Sequence, residues 1–429
     1  MEERRYDGFT RIESRQGISQ YRLDANGLDV LLVPMTLAPV VTFMITYRVG
    51  SRNESTGETG ATHFLEHLMF KGTERFNRES GNSIFNTLQR VGARVNATTW
   101  LDRTNYYELL PDDKLEQAIE IEADRMRGAK LDPEDVDRER TVILNELDRG
   151  ENEPMRKLYQ TVWSTAFLAH PYRHPTIGWR SDVENLSPNQ LRNFYDTFYW
   201  PDNATVSVIG SFDDERTMRL VSEYFGDIPS APNPAPKIHT VEPRQVGTRH
   251  VTVRMAGEPG AVMVAFKAPP ASDVLSAALS VLSVVLGDGK AGRLYTGLVD
   301  SGRAIGVSAV HSLLRDPGLF YVYAMLAPGI THADVEEKLV EELDRLTSSP
   351  IEETELNRAK AIVRADTSFD RDGPFSIASS LNEAIASGDW KLYLSIPEAI
   401  AAVTTDDLLQ AAKSIFEPDS RTVGYFVPR

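Results

Sequence analysis

Cysteine is absent from this 429-residue chain, so it can form no disulfide and offer no thiolate to a metal. Long apolar runs are missing as well. The longest apolar stretch, from about Val30 to Val49, is interrupted by Pro34 and Pro39 and reads as two strands, not a membrane span. Basic charge is in deficit: 46 Lys and Arg stand against 62 Asp and Glu. No basic stripe of the kind a nucleic-acid binder needs can be found, and acidity also disfavours an anionic membrane surface. Neither nucleic acid nor membrane is therefore expected as a partner. The N-terminal segment MEERRYDGFTRIES has no apolar core and does not read as a secretory signal. The expected location is the cytoplasm, or the periplasm if a leader has been removed. What is present suits a globular protein with a real core, with 41% hydrophobic and 25% charged residues. The length favours two domains of about 200 residues each.

Histidine is scarce, with 8 in the chain, which makes the cluster His63-Phe64-Leu65-Glu66-His67 informative. Residues four apart on a helix lie one turn from each other on one face, so both imidazoles can grip one metal ion. Glu66 leaves the helix from nearly the same face. Zinc held in this way lowers the pKa of a water at its open position towards ~7, and a neighbouring carboxylate takes the proton as general base. Such a pattern arises by chance in roughly one comparable sequence in a hundred. The plain alternative is two surface histidines on an amphipathic helix. Against it stand Gly57, Gly60 and Thr62 upstream, the apolar content of GATHFLEHLMF, and a suitable third ligand downstream.

That third ligand must be a carboxylate or another histidine. Asp132-Pro133-Glu134 reads as a helix start, an N-cap aspartate followed by proline in the first turn. On the helix that follows, Glu139 and Glu146 are two turns apart and share a face. Glu146 would complete the metal site, and Glu139 is placed to hydrogen-bond a ligand histidine. The alternative is that both are solvent-facing carboxylates, since Asp148, Glu151 and Glu153 follow closely.

With these residues the sequence resembles the pitrilysin, insulin-degrading enzyme and mitochondrial processing peptidase family of inverted-motif zinc peptidases. That family carries His-x-x-Glu-His and, some 75–80 residues later, a helix with two glutamates seven apart, the second a zinc ligand. The resemblance runs from about residue 20 to the end of the chain. A further family stretch appears as Gly92-Ala93-Arg94-Val95-Asn96-Ala97-Thr98-Thr99, then Asp102-Arg103-Thr104-Asn105-Tyr106-Tyr107. Taken alone it reads as β-structure with alternation too weak to fix a buried face. The resemblance implies an edge strand that pairs with an extended peptide substrate, with the Asn96–Ala97 step beside the zinc.

The chain also repeats itself. Leu186-Ser187-Pro188 leads into a helix from Asn189 to Tyr199, then Pro201-Asp202-Asn203-Ala204-Thr205-Val206. Val403-Thr404-Thr405 leads into a helix from Asp406 to Phe416, then Pro418-Asp419-Ser420-Arg421-Thr422-Val423. Leu191 matches Leu408, Phe198 matches Ile415 and Val206 matches Val423, all at one offset, which implies two copies of one domain. The expected organisation is a zinc-bearing domain over 1–227, a proline-rich linker over 228–245, and a homologous domain over 246–429 without a metal site. Amphipathic segments such as Asp112 to Gly128 alternate with short strands. The expected fold is therefore α+β, each copy a mainly antiparallel sheet covered by helices, and the resemblance implies that the two form one half of a clamshell. In the second copy the metal helix recurs as Ala277 to Leu286 with no ligand.

Active members of the family usually carry an arginine and, a few residues on, a tyrosine in the second half, both contacting substrate. Here those positions are Val299 and Ile305, with Arg293, Tyr295 and Arg303 nearby but out of frame. The resemblance then implies a heterodimer with a homologous zinc-less subunit, or otherwise a homodimer. His170 and His174 lie in a turn-rich loop and read as packing residues. His239, His250, His311 and His332 stand alone. The function expected is a zinc-dependent endopeptidase acting on short or unfolded polypeptides, with His63, His67 and Glu146 on the metal, Glu66 as base and Glu139 in support. The other class to weigh is a non-catalytic scaffold or chaperone-like subunit of the same fold.

Overall fold

The computed structural model describes residues 4–36 and 38–429. Its strands are β1 (Phe9–Arg15), β2 (Ile18–Leu23), β3 (Asp29–Pro34), β4 (Val40–Tyr47), β5 (Arg94–Thr99), β6 (Thr104–Pro111), β7 (Ala204–Gly210), β8 (Arg249–Met255), β9 (Ala261–Ala268), β10 (Ala304–His311), β11 (Gly318–Leu326) and β12 (Thr422–Pro428). Between them run, among others, helices α1 (Ala61–Leu68), α2 (Leu115–Gly128), α3 (Pro133–Glu151), α4 (Pro154–Ala166), α5 (Pro188–Phe198), α6 (Ser276–Gly287), α7 (Pro374–Ala386) and α8 (Thr405–Ile415). Among the described residues no helix is long and apolar enough to cross a membrane.

The first sheet has seven strands in the order β1-β2-β3-β7-β4-β6-β5, and the second has five in the order β10-β11-β9-β12-β8. The second repeats the first strand for strand: β8-β12-β9-β11-β10 matches β3-β7-β4-β6-β5. Each contains one parallel pair, β3 with β7 and β8 with β12, and is otherwise antiparallel. The mainly antiparallel α+β copies expected from the repeat are thus present, and the β1–β2 hairpin is an addition to the first. Local capping repeats too. Ser187 opens α5 with Gln190 in a reciprocal capping box, and Thr404 opens α8 with Asp407 in another. Each box satisfies two backbone N–H groups that a helix start leaves without partners.

The compact units do not follow the expected division at the linker. One comprises Met1–Asn145, Pro175–Ile238 and Asp370–Ala386, the other Glu146–His174, His239–Phe369 and Ser387–Arg429. Each half of the sequence lends a helix to the other half's sheet. Helix α4 packs on β8, β9 and β12, burying Leu158, Val162, Trp163 and Ala166. Helix α7 packs on β4 and β7, burying Ile377, Ala378, Leu381 and Ile385. The reason is that the inner strands are buried on both faces: every residue of β7 and all but the first of β4 are buried. A sheet of this kind needs a helical layer on each side, and periodicity along the chain does not say which segment supplies it. The proline-rich segment 228–245 contains neither helix nor strand.

The seat of α4 depends on a missing side chain. A Cβ placed on Gly424, in the middle of β12, would lie 2.3 Å from Cγ2 of Val162 and 3.0 Å from Cδ1 of Leu158. Overpacking of this type costs about 1–3 kcal/mol. Gly424→Ala is expected to lower the urea midpoint accordingly, and Val162→Ala in the same chain to recover part of the loss. An unchanged midpoint in Gly424→Ala would show that α4 does not bear on β12 this closely.

Candidate active site

Helix α1 begins where the chain is forced to turn. Gly60, just before it, has φ of 90°, a left-handed conformation that L side chains rarely adopt, and a Cβ there would lie 2.6 Å from the carbonyl oxygen of Ile177. The open N–H groups of the first turn are met by a side chain from outside the helix. Glu54 accepts from the backbone N–H of Gly60 and of Thr62, both at 2.8 Å. Phe64, Leu65 and Leu68 are buried, while His63, Glu66 and His67 come off the opposite, half-buried face. The two imidazole rings are 4.8 Å apart between centroids.

Helix α3 begins at Pro133, where the sequence places its start, and buries Val136, Glu139, Ile143 and Leu147 on one stripe. Its seven-residue spacing carries Glu146 to the two histidines. One ligand atom from each of His63, His67 and Glu146 lies within 4.8 Å of the other two. The boundary between the compact units falls after Asn145, inside α3, and the continuity of that helix sets the position of Glu146. Two imidazoles and one carboxylate are the donor set of a catalytic zinc site that keeps a position open. The residues present therefore fit zinc.

Glu139 stands where the heptad spacing puts it. Its Oε2 lies 3.1 Å from Nδ1 of His67, and its Oε1 lies 2.5 Å from Nζ of Lys71. Burial on its own would raise the pKa of Glu139, but the hydrogen bonds from His67 and Lys71 outweigh it and hold the carboxylate below its usual range. A carboxylate in that state fixes the imidazole's tautomer and ring plane, leaving Nε2 to face a metal. Lys71 was not singled out in the sequence, although it sits one turn beyond His67 on the same face.

Strand β5 is an edge of its sheet and packs beside α1. It carries Asn96, exposed, and Ala97, buried, paired with Tyr107 and Tyr106 of β6. One contact on this strand was missed in the sequence. Oγ1 of Thr99 donates to Oε2 of Glu66 at 2.5 Å, which ties the strand to the carboxylate between the histidines. No local pattern announces this bond, because the two residues are 33 apart in the chain.

The floor of the region is polar and buried. Arg125 of α2 lies over the ring of Tyr106 at 4.3 Å and near that of Phe70 at 4.8 Å. It pairs with Glu122 and stands 3.5 Å from Glu108, and all three side chains are fully buried. Burial first, and the charge of Glu122 second, push Glu108 well above the carboxylate range. Arg125 stands between the two carboxylates and offsets part of the cost of burying them together. Leu115, Ala118, Ile119 and Met126 of α2 are buried, and Glu122 and Arg125 are buried with them.

The other histidines take no part. His170 is buried, with Nε2 3.1 Å from Oδ2 of Asp316 and Nδ1 accepting from the N–H of Tyr172. His311 is half-buried beside Ser280. In the second half, Val299 packs against the apolar core and Ile305 is 56% exposed on β10. Arg293 is engaged by Glu355.

Comparison with known proteins shows the family. The family described as insulinase (peptidase family M16) matches residues 30–178, and the one described as peptidase M16 inactive domain matches residues 185–363. The zinc protease PqqE of Helicobacter pylori is 28% identical over 408 residues, covering 94% of this chain and 91% of that protein. An uncharacterized zinc protease of Streptomyces coelicolor is 30% identical over 421 residues, covering 95% and 89%. The crystal structure of a protease from Helicobacter pylori superposes with a TM-score of 0.89 at 26% identity, covering 98% and 99%. The chain belongs to the M16 peptidase family. Its first half matches the peptidase description and its second half the inactive one.

Replacing Glu139 by alanine removes the bond that orients His67. Zinc affinity, measured by competition with a chelator, is expected to fall about 10–100-fold. An unchanged affinity would mean that α1 and α3 hold the imidazole without it.

Proposed function

We propose that this chain is a zinc metalloendopeptidase that hydrolyses peptide bonds in short or unfolded polypeptides. The observation that carries the reading is the meeting of His63, His67 and Glu146 at one point, with Glu66 between the histidines on α1. Zinc bound there would polarise the scissile carbonyl and make water acidic enough to give up a proton near neutral pH. Glu66 is the group that takes this proton and returns it to the leaving amine. Thr99 holds Oε2 of Glu66 and so limits the directions in which the carboxylate turns. The edge of β5 offers backbone to an extended chain, the Asn96–Ala97 step is proposed to take part in that pairing, and pairing through backbone demands little of the substrate's sequence.

The second half supports a partner. Val299 and Ile305 are apolar where substrate-contacting side chains would stand, and Arg293 is already paired. A homologous subunit without zinc would supply those contacts, so the chain is proposed as the catalytic member of a heterodimer.

The test is cleavage of a mixed pool of quenched fluorescent peptides by the zinc-loaded chain beside Glu66→Gln. Loss of the base is expected to lower kcat by about 10²–10⁴-fold with zinc still bound stoichiometrically. Full activity in Glu66→Gln would refute the mechanism. A wild-type chain that binds no zinc would favour a non-catalytic scaffold. Stoichiometric zinc without turnover would send the search to the partner subunit.

A further inference from the structure

Helix α7 reaches the substrate strand from the face opposite the histidines. By sequence it belongs to the second half, and the residues flanking it, Phe369 and Ser387, are both in the other compact unit. Within the first unit it touches the β5–β6 hairpin through Arg103. Glu383 Oε1 accepts from Nε of Arg103 at 3.1 Å and from Nη2 at 2.5 Å. The remaining nitrogen, Nη1, donates to the Thr98 carbonyl at 2.9 Å, to Thr98 Oγ1 at 2.5 Å and to Asn105 Oδ1 at 3.0 Å. Arg103 is 8% exposed. Phe375, at the start of α7, has its ring 4.7 Å from that of Tyr107, the residue opposite Asn96. Asn382, beside Glu383, accepts from Oγ1 of Thr46 on β4 at 2.8 Å.

Successive side chains of a strand point to opposite faces, and here both faces are used at consecutive residues. Thr98 is held by Arg103 from the α7 side. Thr99 is bonded to Glu66 on the α1 side. The end of β5 is thus clamped between a helix of the second half and the carboxylate proposed as base. A planar guanidinium can span a carboxylate and a carbonyl in one fixed fork, which an ammonium cannot.

We infer that Arg103 and Glu383 are positioning residues for the substrate strand: through Thr98 they fix the end of β5, and with it the edge that an extended peptide pairs with and the Thr99 bond to Glu66. This rests on the peptidase reading above. Neither residue touches the reacting atoms. The role makes α7 part of the active-site support, although its sequence lies more than 200 residues beyond the zinc motif.

The test compares Glu383→Ala, Glu383→Gln and Arg103→Lys with wild type in the zinc-loaded full chain. Two readouts are taken: amide hydrogen exchange over residues 94–99, and KM and kcat on an extended fluorescent peptide. Glu383→Ala and Arg103→Lys each remove one side of the clamp. Loss of a charge-assisted bond of this kind is expected to speed β5 exchange and raise KM by about tenfold, with a smaller fall in kcat. Glu383→Gln still accepts N–H bonds and is expected to stay within about threefold of wild type. Zinc stoichiometry should not change in any of them. Unchanged β5 exchange together with unchanged KM in Glu383→Ala would overturn the inference, as would a Glu383→Gln variant as impaired as Glu383→Ala. Should wild type cleave no peptide, the peptidase reading fails on that result, while the exchange measurement still decides whether Arg103 and Glu383 hold β5.

Discussion

The site depends on how α3 lies along α1, and the bond that fixes that register is the one from Glu139 to His67. Glu139 is buried, so its charge needs partners, and it has two from a single face of the neighbouring helix and its extension: the imidazole of His67 and the ammonium of Lys71. A hydrogen bond to a charged group contributes about 1.5–3 kcal/mol. Because α3 is one continuous helix, the register set at Glu139 is transmitted two turns on to Glu146. A slide of one residue would rotate the helix by about 100° and carry Glu146 away from both histidines. Position in this site is thus set by a supporting carboxylate as much as by the ligands themselves.

The rest of the fold serves to hold these two helices and β5 in place. The inner strands of each sheet are buried on both faces, and each sheet takes one of its covering helices from the other half of the chain. The exchange means that neither half is self-sufficient: without α7 the first sheet would expose β4 and β7, and without α4 the second would expose β8, β9 and β12. The two sheets share this architecture strand for strand, while the cluster of His63, His67 and Glu146 lies in one copy. Helix α6, which occupies the place of α1, is apolar along its length and buries eight of its twelve residues.

What could be read from the sequence is what short spacings encode. His63, Glu66 and His67 are legible because four residues make one helical turn, and Glu139 and Glu146 because seven make two. The repeat was legible in its helices, Pro-Asp turns and matched apolar positions, which are local structures with local signatures. The remainder is tertiary. The bond from Thr99 to Glu66, the capping of α1 by Glu54, and the clamp of Arg103 by Glu383 join residues whose spacing follows no period. Glu122 and Arg125 were hidden for another reason: a buried ion pair on an amphipathic helix is indistinguishable, by pattern, from an exposed one. The exchange of α4 and α7 was not legible because hydrophobic periodicity shows that a helix has a face to bury but not which sheet receives it.

The measurement that bears most directly on this account is zinc-edge X-ray absorption of the stoichiometrically loaded chain, set beside Glu146→Ala and His67→Ala. Two imidazole shells and one carboxylate oxygen in wild type, with loss of one imidazole in His67→Ala and of the carboxylate in Glu146→Ala, is the expected result. A wild-type spectrum without imidazole scattering, or one that neither substitution alters, would place the metal elsewhere and contradict the site described above.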